Sequence, residues 1–399
     1  MRQGTLTDHA VAPIDCDGSH DTMPVANAAE AWARVQRALI DHFYEPDVEG
    51  ARAFYASLAA HDLDGQPVWP MLVAPPGNMK TEMIKACGGL PNFHAIDSLT
   101  PNTFLSGRAP ENGKPRGKDG LLQRIGNNAI IACPDFSTLL KGNRDKRDQV
   151  FAQLRRLFDG ELRREVGIEL DADATRWKGR LTFVAGVTPN VDRYLSVFGE
   201  LGERFVLIRW GRAAGADAAR CAMGQDIGAK DAAMQQAVHM LFAANMTAPV
   251  AEIPSAINDA IAETAEIVAR GRTPIERERD GELEYVPQPE GATRIAQQLC
   301  QLAKGSARLD GREHVNAMDL AIVHRVALDT IPPVRAAILR ALASGKTPED
   351  AAVSGRRVPR STIHRALKDL IDLGLVDDGT KRFTVDASEM FSRARLLTM

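Results

Sequence analysis

The sequence predicts an α/β protein, in which a parallel sheet of βα units is followed by a helical region and then by a helix-turn-helix unit with a wing. Three observations carry this prediction. From about residue 68 to 212, short apolar runs alternate with amphipathic stretches, the pattern of strands whose crossovers are helices. Within that region the apolar run Trp69 to Val73 passes into Ala74, Pro75, Pro76, Gly77, Asn78, Met79, Lys80 and Thr81, and then into the helix-like Glu82 to Ala86. That is a strand-loop-helix junction of the kind that wraps phosphate. Past residue 212 the strand-like runs stop, and Pro332 with Pro333 marks a boundary before a compact terminal unit.

Residues 1–27 mix Gly, Pro, Asp, His and Thr without periodicity and are expected to be a disordered tail. Residues 28–67 read as an N-terminal helical segment: Trp32, Val35, Leu39 and Phe43 recur at helical spacing, and a second helix is expected from Glu49 to Ala60. The α/β core, residues 68–212, is expected to hold strands at Met71 to Val73, Ala95 to Asp97, Ala129 to Cys133, Leu181 to Val187 and Phe205 to Trp210. Arg108 to Gly120, rich in Gly, Pro and charge, reads as an exposed loop. Residues 213–331 read as a helical lid, with helices around Ala229 to Ala244, Ala256 to Arg270, Ala292 to Leu309 and Ala317 to Leu328. A charged, Pro-containing connection from Arg272 to Gly291 interrupts them.

Residues 332–399 read as a winged helix. Helices are expected at Val334 to Ala343, Pro348 to Val353 and Ser361 to Leu373, with a turn at Gly355 and Pro359. Gly374 stands at a helix C-cap, and Asp378-Gly379 reads as a hairpin turn.

The composition, 44% hydrophobic and 25% charged over 399 residues, is that of a globular protein with two or three domains. No apolar run approaches the roughly 18 residues of a membrane span, and the N-terminus carries no secretory pattern. A cytoplasmic location without a membrane partner is therefore expected. Cys16, Cys87, Cys133, Cys221 and Cys300 are scattered without C-x-x-C spacing, which points to reduced thiols rather than a disulfide framework or a zinc site. The net charge of −3 gives no global attraction to nucleic acid, so DNA contact requires local basic patches.

In a phosphate-binding loop, backbone N–H groups surround a β-phosphate, a lysine reaches the β/γ-phosphates and a hydroxyl ligates Mg²⁺. Pro76, Gly77, Asn78, Met79, Lys80 and Thr81 fit such a loop, with Thr81 as the metal ligand, although Ala74 and Met79 stand where the full pattern has glycine. An ordinary strand-turn-helix junction is the alternative. At the end of the next buried strand run, Asp135 could orient an attacking water or instead cap the helix beginning near Ser137. Thr188, with Asn190 second, follows the Leu181 to Val187 run and could contact a γ-phosphate, or simply belong to a Pro-containing turn. Arg204, expected at the surface before the last strand, could reach a neighbouring subunit's nucleotide or form a solvated salt bridge.

Arg163, Arg164, Arg176, Trp177, Lys178 and Arg180 suit a DNA-contacting hairpin, or one paired internally with nearby acids. In the terminal unit, Ile363, Ala366, Leu367, Leu370 and Ile371 form an apolar stripe. Off that stripe lie Ser361, His364, Arg365 and Lys368, which with Arg356, Arg357 and Arg360 make a basic face suited to a DNA groove. A protein-binding winged helix is the alternative, because Asp369, Asp372, Asp377 and Asp378 dilute the positive field.

The order and spacing of these pieces, from about residue 68 to 330, resemble the AAA+ ATPases, the minichromosome-maintenance-like helicases among them, and most of all phage and prophage ATPases. Pro134-Asp135-Phe136 is similar to the Walker B segment of that group, Ala185 to Pro189 to its sensor strand, and Gly202 to Phe205 to its arginine-finger box. Thr293-Arg294-Ile295 is similar to the lid helix carrying a second sensor arginine, at Arg294. The resemblance implies ATP and Mg²⁺ as cofactors, with Asp135, Thr188, Arg204 and Arg294 as catalytic residues. It also implies DNA and replication proteins as partners, self-association into a hexameric ring, and a role as helicase or helicase loader. Pro134 departs from the pattern by replacing a metal-orienting aspartate, and Asp135 stands where a longer glutamate is usual. These departures keep open a second role, an ATP-binding, weakly or non-hydrolysing DNA-binding regulator or assembly switch.

Overall fold

Five parallel strands form the centre of the molecule, in the order β2-β3-β6-β1-β7. They are β1 (Trp69–Val73), β2 (Phe93–Ala95), β3 (Asn128–Cys133), β6 (Arg180–Val187) and β7 (Phe205–Arg209), while β4 (Glu161–Arg163) and β5 (Arg176–Lys178) form a separate antiparallel pair. The structure, a computed structural model, describes residues 27–105, 120–163, 176–194, 204–211, 215–278 and 282–396. The expected tail up to residue 26, nearly all of the 108–120 loop and the 164–175 hairpin tip, with Arg164, lie outside the described residues.

The first six helices are α1 (Ala28–His42), α2 (Val48–Ala59), α3 (Lys80–Ala86), α4 (Leu121–Ile125), α5 (Ser137–Lys141) and α6 (Arg144–Phe158). Beyond β7 come α7 (Ala216–Met223), α8 (Ile227–Asn245), α9 (Ser255–Arg272), α10 (Thr293–Leu309) and α11 (Ala317–Thr330). The terminal unit holds α12 (Pro333–Ala343), the short strands β8 (Ala352–Val353) and β9 (Arg356–Arg357), α13 (Arg360–Asp372) and α14 (Val385–Arg393).

Alternation along the strands divides the sheet into two buried faces. Leu72, Val184, Val206 and Ile208 pack with α1, α2, α3 and the helices beyond β7. Trp69, Met71, Ile131, Phe183 and Phe205 pack on the other face with α6 and Phe136. Both faces are covered, so the strands read as continuous apolar runs. The edge strand β7 is closed by α11: Leu207 N–H donates to Thr330 Oγ1 at 3.0 Å and Arg209 N–H to Asp329 Oδ2 at 3.0 Å.

Register moves β2 two residues upstream of the expected Ala95 to Asp97, because Phe93 to Ala95 pair with Ile130 to Ala132 of β3. Nor does the N-terminal segment stand apart. α2 lies so close to α10 that a Cβ on Gly305 would sit 2.1 Å from the Ala56 carbonyl oxygen. Arg52 stitches the same contact through Ser306 and a 2.6 Å ion pair with Asp310.

In the terminal unit, the helix expected at Pro348 to Val353 is instead a 3-10 turn at Pro348–Asp350 followed by the β8–β9 hairpin. Ser354 and Gly355 both take positive φ, which reverses the chain before a helical turn can close. α14 is an addition to the expected elements. Thr384 caps it, accepting from Ala387 N at 3.1 Å, and its Met390 and Phe391 enter the terminal core with Ile267, Leu328 and Ile331.

Burial also sets an acid limit on stability. His61, bonded through Nδ1 to Thr182 Oγ1 at 2.9 Å, and His324 are both held down to about 4, chiefly by desolvation. The unfolded chain therefore binds more protons than the folded one between the free-histidine value of 6.5 and about 4. Stability present above that window falls as pH drops through it, by up to about 3 kcal/mol per histidine. Denaturant midpoints measured across this range should fall steadily toward acid and recover partly in His324→Gln; a flat profile contradicts the assignment.

Candidate nucleotide site and basic face

Pro76 to Thr81, Asp135 and Thr188 all follow the carboxyl ends of adjacent parallel strands, where crevices form in open α/β sheets. β1 ends at Val73, and hydrogen bonds from Ala74 N to Val187 O and from Trp210 N to Val73 O hold its exit between β6 and β7. Gly77 then turns at φ +77° with open space beside it. Met79, which stands where the full pattern has glycine, takes φ 50°, a left-handed conformation that costs of order 1–2 kcal/mol for an L-residue. Its side chain is buried in the core below, so packing holds the loop in this shape.

Lys80, the first residue of α3, folds back so that Nζ donates to Ala74 O at 2.9 Å. Burial lowers its pKa, while the carboxylates of Asp135 and Glu82 act in the opposite sense. Nζ thus sits in a partly desolvated setting in which the two carboxylates favour its charged form against burial. Thr81 is exposed on the same turn.

Asp135 is exposed and accepts from Thr138 Oγ1 at 2.8 Å. The turn carrying it is pinned to β6, since Phe136 N–H donates to Gly186 O at 2.9 Å and Thr188 N–H to Ser137 Oγ at 3.1 Å. Asn190 lies in the following 3-10 turn and is exposed. A cavity of about 150 Å³ adjoins the loop, lined by Gly77, Asn78, Asp47, Trp210, Gly211 and Gln225 among others. Reading along the chain marks only the Gly77 to Met79 side of this pocket, because its other walls, Asp47, Trp210, Gly211 and Gln225 among them, come from distant segments.

Arg204 and Arg294 lie elsewhere. Arg204 precedes Phe205, which pairs with Trp69 at the start of β1, so roughly 15 Å of strand separates it from the loop. It was expected at the surface, but it is buried, paired with Asp159 at 3.2 Å and over the Phe158 ring. Its pKa is lowered by burial, with Asp159 opposing and Arg294 and Arg155 adding to the lowering. The two arginines therefore share one end of the sheet, Arg294 also lying 3.8 Å from Glu290.

Within the β4–β5 hairpin, Trp177 is buried and donates to Gly126 O at 2.8 Å, so it is no exposed stacking platform. Arg180 is spent on the Gly65 and His61 carbonyls, and Arg176 pairs with Glu161.

On α13 and the hairpin before it, Arg356, Arg357, Arg360, Ser361, His364 and Arg365 are all exposed. Lys368 follows His364 by one helical turn, half-buried and 3.6 Å from Glu282. The dilution expected from Asp369 and Asp372 is reduced, because Arg277 pairs with both and Arg335 with Asp369.

No protein-family model matches the chain, and no curated protein matches it. Among the described residues no group of His, Cys, Asp and Glu is placed to hold a metal ion, and no helix is long and apolar enough to cross a membrane.

Proposed function

We propose that the chain is an ATP-dependent DNA motor of the AAA+ kind, a helicase or helicase loader of a phage or mobile element acting in the cytoplasm. The observation that carries this reading is the convergence of the Lys80 loop, Asp135 and Thr188 at the carboxyl ends of β1, β3 and β6. Bound ATP with Mg²⁺ would supply a transferable γ-phosphoryl group whose developing charge the metal helps neutralise. Lys80 would hold the phosphates, Thr81 would face the metal, Asp135 would position water, and Thr188 would hold the γ-phosphate end. Arg204 and Arg294, at the far end of the sheet, are out of reach of their own loop. Self-association into a ring, a hexamer on the group's pattern, rests on the resemblance alone, because Arg204 is buried against Asp159 and Phe158 and is not presented to a neighbouring subunit.

A second reading, an ATP-binding switch that hydrolyses weakly or not at all, is favoured by Pro134, which offers no carboxylate beside Asp135. Both readings place DNA on the exposed arginines of the winged-helix unit. Duplex binding measured over a series of salt concentrations tests that placement. Arg360→Ala and Arg365→Ala should each reduce the log–log salt slope by about one, since each removes one cation that neutralises a phosphate. Unchanged slope and affinity in the double variant would remove DNA from this face and leave protein as its partner.

A further inference from the structure

A continuous chain of polar contacts runs from the phosphate loop to the terminal unit. Asn78 Nδ2 donates to Gly211 O at 2.9 Å, and Gly211 N–H donates to Asp47 Oδ2 at 3.4 Å. Arg325 of α11 grips the same carboxylate with both terminal nitrogens, at 2.7 and 2.5 Å. Its Nε lies 3.8 Å from Asp329, one helical turn on, and Asp329 in turn lies 3.6 Å from Arg340 of α12. Asp329 is buried and fixed from a second side, since Arg209 of β7 donates to it through N–H and through Nε to its carbonyl.

The terminal unit is firmly joined to this chain of contacts. Arg335 donates to Gly271 O and Thr273 O, and Leu328 and Ile331 share the terminal core with α12 and α13. A shift of α11 therefore moves the helix that presents the basic face. At the other end, Asn78, Gly211 and Asp47 all line the cavity beside the phosphate loop, so any ligand filling it meets the first links directly.

We propose that occupancy of this pocket is transmitted to the basic face through Asn78, Gly211, Asp47, Arg325, Asp329 and Arg340, coupling the two sites reciprocally. This rests on the reading of the loop as a nucleotide site. A ligand shifts such an element only by its differential affinity for two arrangements, and the coupling must act equally in both directions.

Amide hydrogen exchange of the full chain, with and without saturating ATP and Mg²⁺ and beside an equilibrium titration of the same nucleotide, tests it. Nucleotide should change exchange across residues 333–372 by about fivefold or more, the lower end of ordinary coupling. Arg340→Ala should bind nucleotide yet lose that response. Arg393→Ala, which breaks a 2.8 Å ion pair between α14 and Glu263 outside the chain of contacts, should keep it. Binding without a response in residues 333–372, a response that survives Arg340→Ala, or one abolished equally in Arg393→Ala overturns the proposed route. Absence of nucleotide binding in the unsubstituted chain overturns the nucleotide reading itself, and the coupling with it.

Discussion

Replacing Lys80 by alanine is expected to weaken binding of ATP with Mg²⁺ by about 10- to 100-fold, the usual worth of a charge-assisted hydrogen bond. Turnover should disappear as well. Nζ now donates to the Ala74 carbonyl and is partly desolvated beside Asp135. An ammonium so placed exerts a stronger field on a phosphate than one in open water. Little of the fold depends on it: Lys80 is only half-buried, while Met79, Met83 and Ile84 supply the packing of the turn. The substitution should therefore leave the thermal midpoint close to that of the parent while calorimetry registers the weaker binding. Parental affinity in Lys80→Ala would show that the loop is a plain junction.

Gly186→Ala is expected to damage both stability and chemistry. The cause is close approach rather than backbone conformation. A Cβ there would lie 2.2 Å from the Pro134 carbonyl oxygen and 2.9 Å from its carbon. Neither atom belongs to a flexible side chain, and the Phe136–Gly186 hydrogen bond pins the same turn. Relief requires β6 and the Pro134–Asp135 turn to separate, an overpacking cost of about 1–3 kcal/mol. Because Asp135 rides on that turn, a displacement of about 1 Å could reduce turnover on the order of 100-fold. Urea denaturation paired with turnover checks this, and a variant matching the parent in both would contradict the described fit of β6 against the turn.

These two residues also mark how much of the molecule was legible in its sequence. The strand runs, the loop and the polar residues after each strand followed from apolar periodicity and turn chemistry, and the sheet places Lys80, Asp135 and Thr188 along one edge. The proximity of Gly186 to Pro134 was not legible, since it depends on how two parallel strands are aligned. Arg204 was placed at the surface because an arginine beside a strand usually is; only the packed Phe158 and Asp159, distant in the chain, bury it. Trp177 likewise turns inward to the Gly126 carbonyl.

In the terminal unit the apolar stripe of α13 was plain, but the hairpin ahead of it arises from positive φ at Ser354 and Gly355, which spacing does not encode. α14 did carry a local signal, a Thr384 cap followed by Ala387, Met390, Phe391 and Ala394 at helical spacing. The pairing of Asp369 with both Arg277 and Arg335 could not be read, because it joins segments far apart in the chain.

The most direct test of the motor reading is release of phosphate from ATP by the purified chain, with and without single-stranded and duplex DNA, beside Lys80→Ala. Turnover that DNA stimulates and the substitution abolishes is the predicted result. Saturable nucleotide binding with no turnover above that of Lys80→Ala would contradict the motor and leave the ATP-responsive switch.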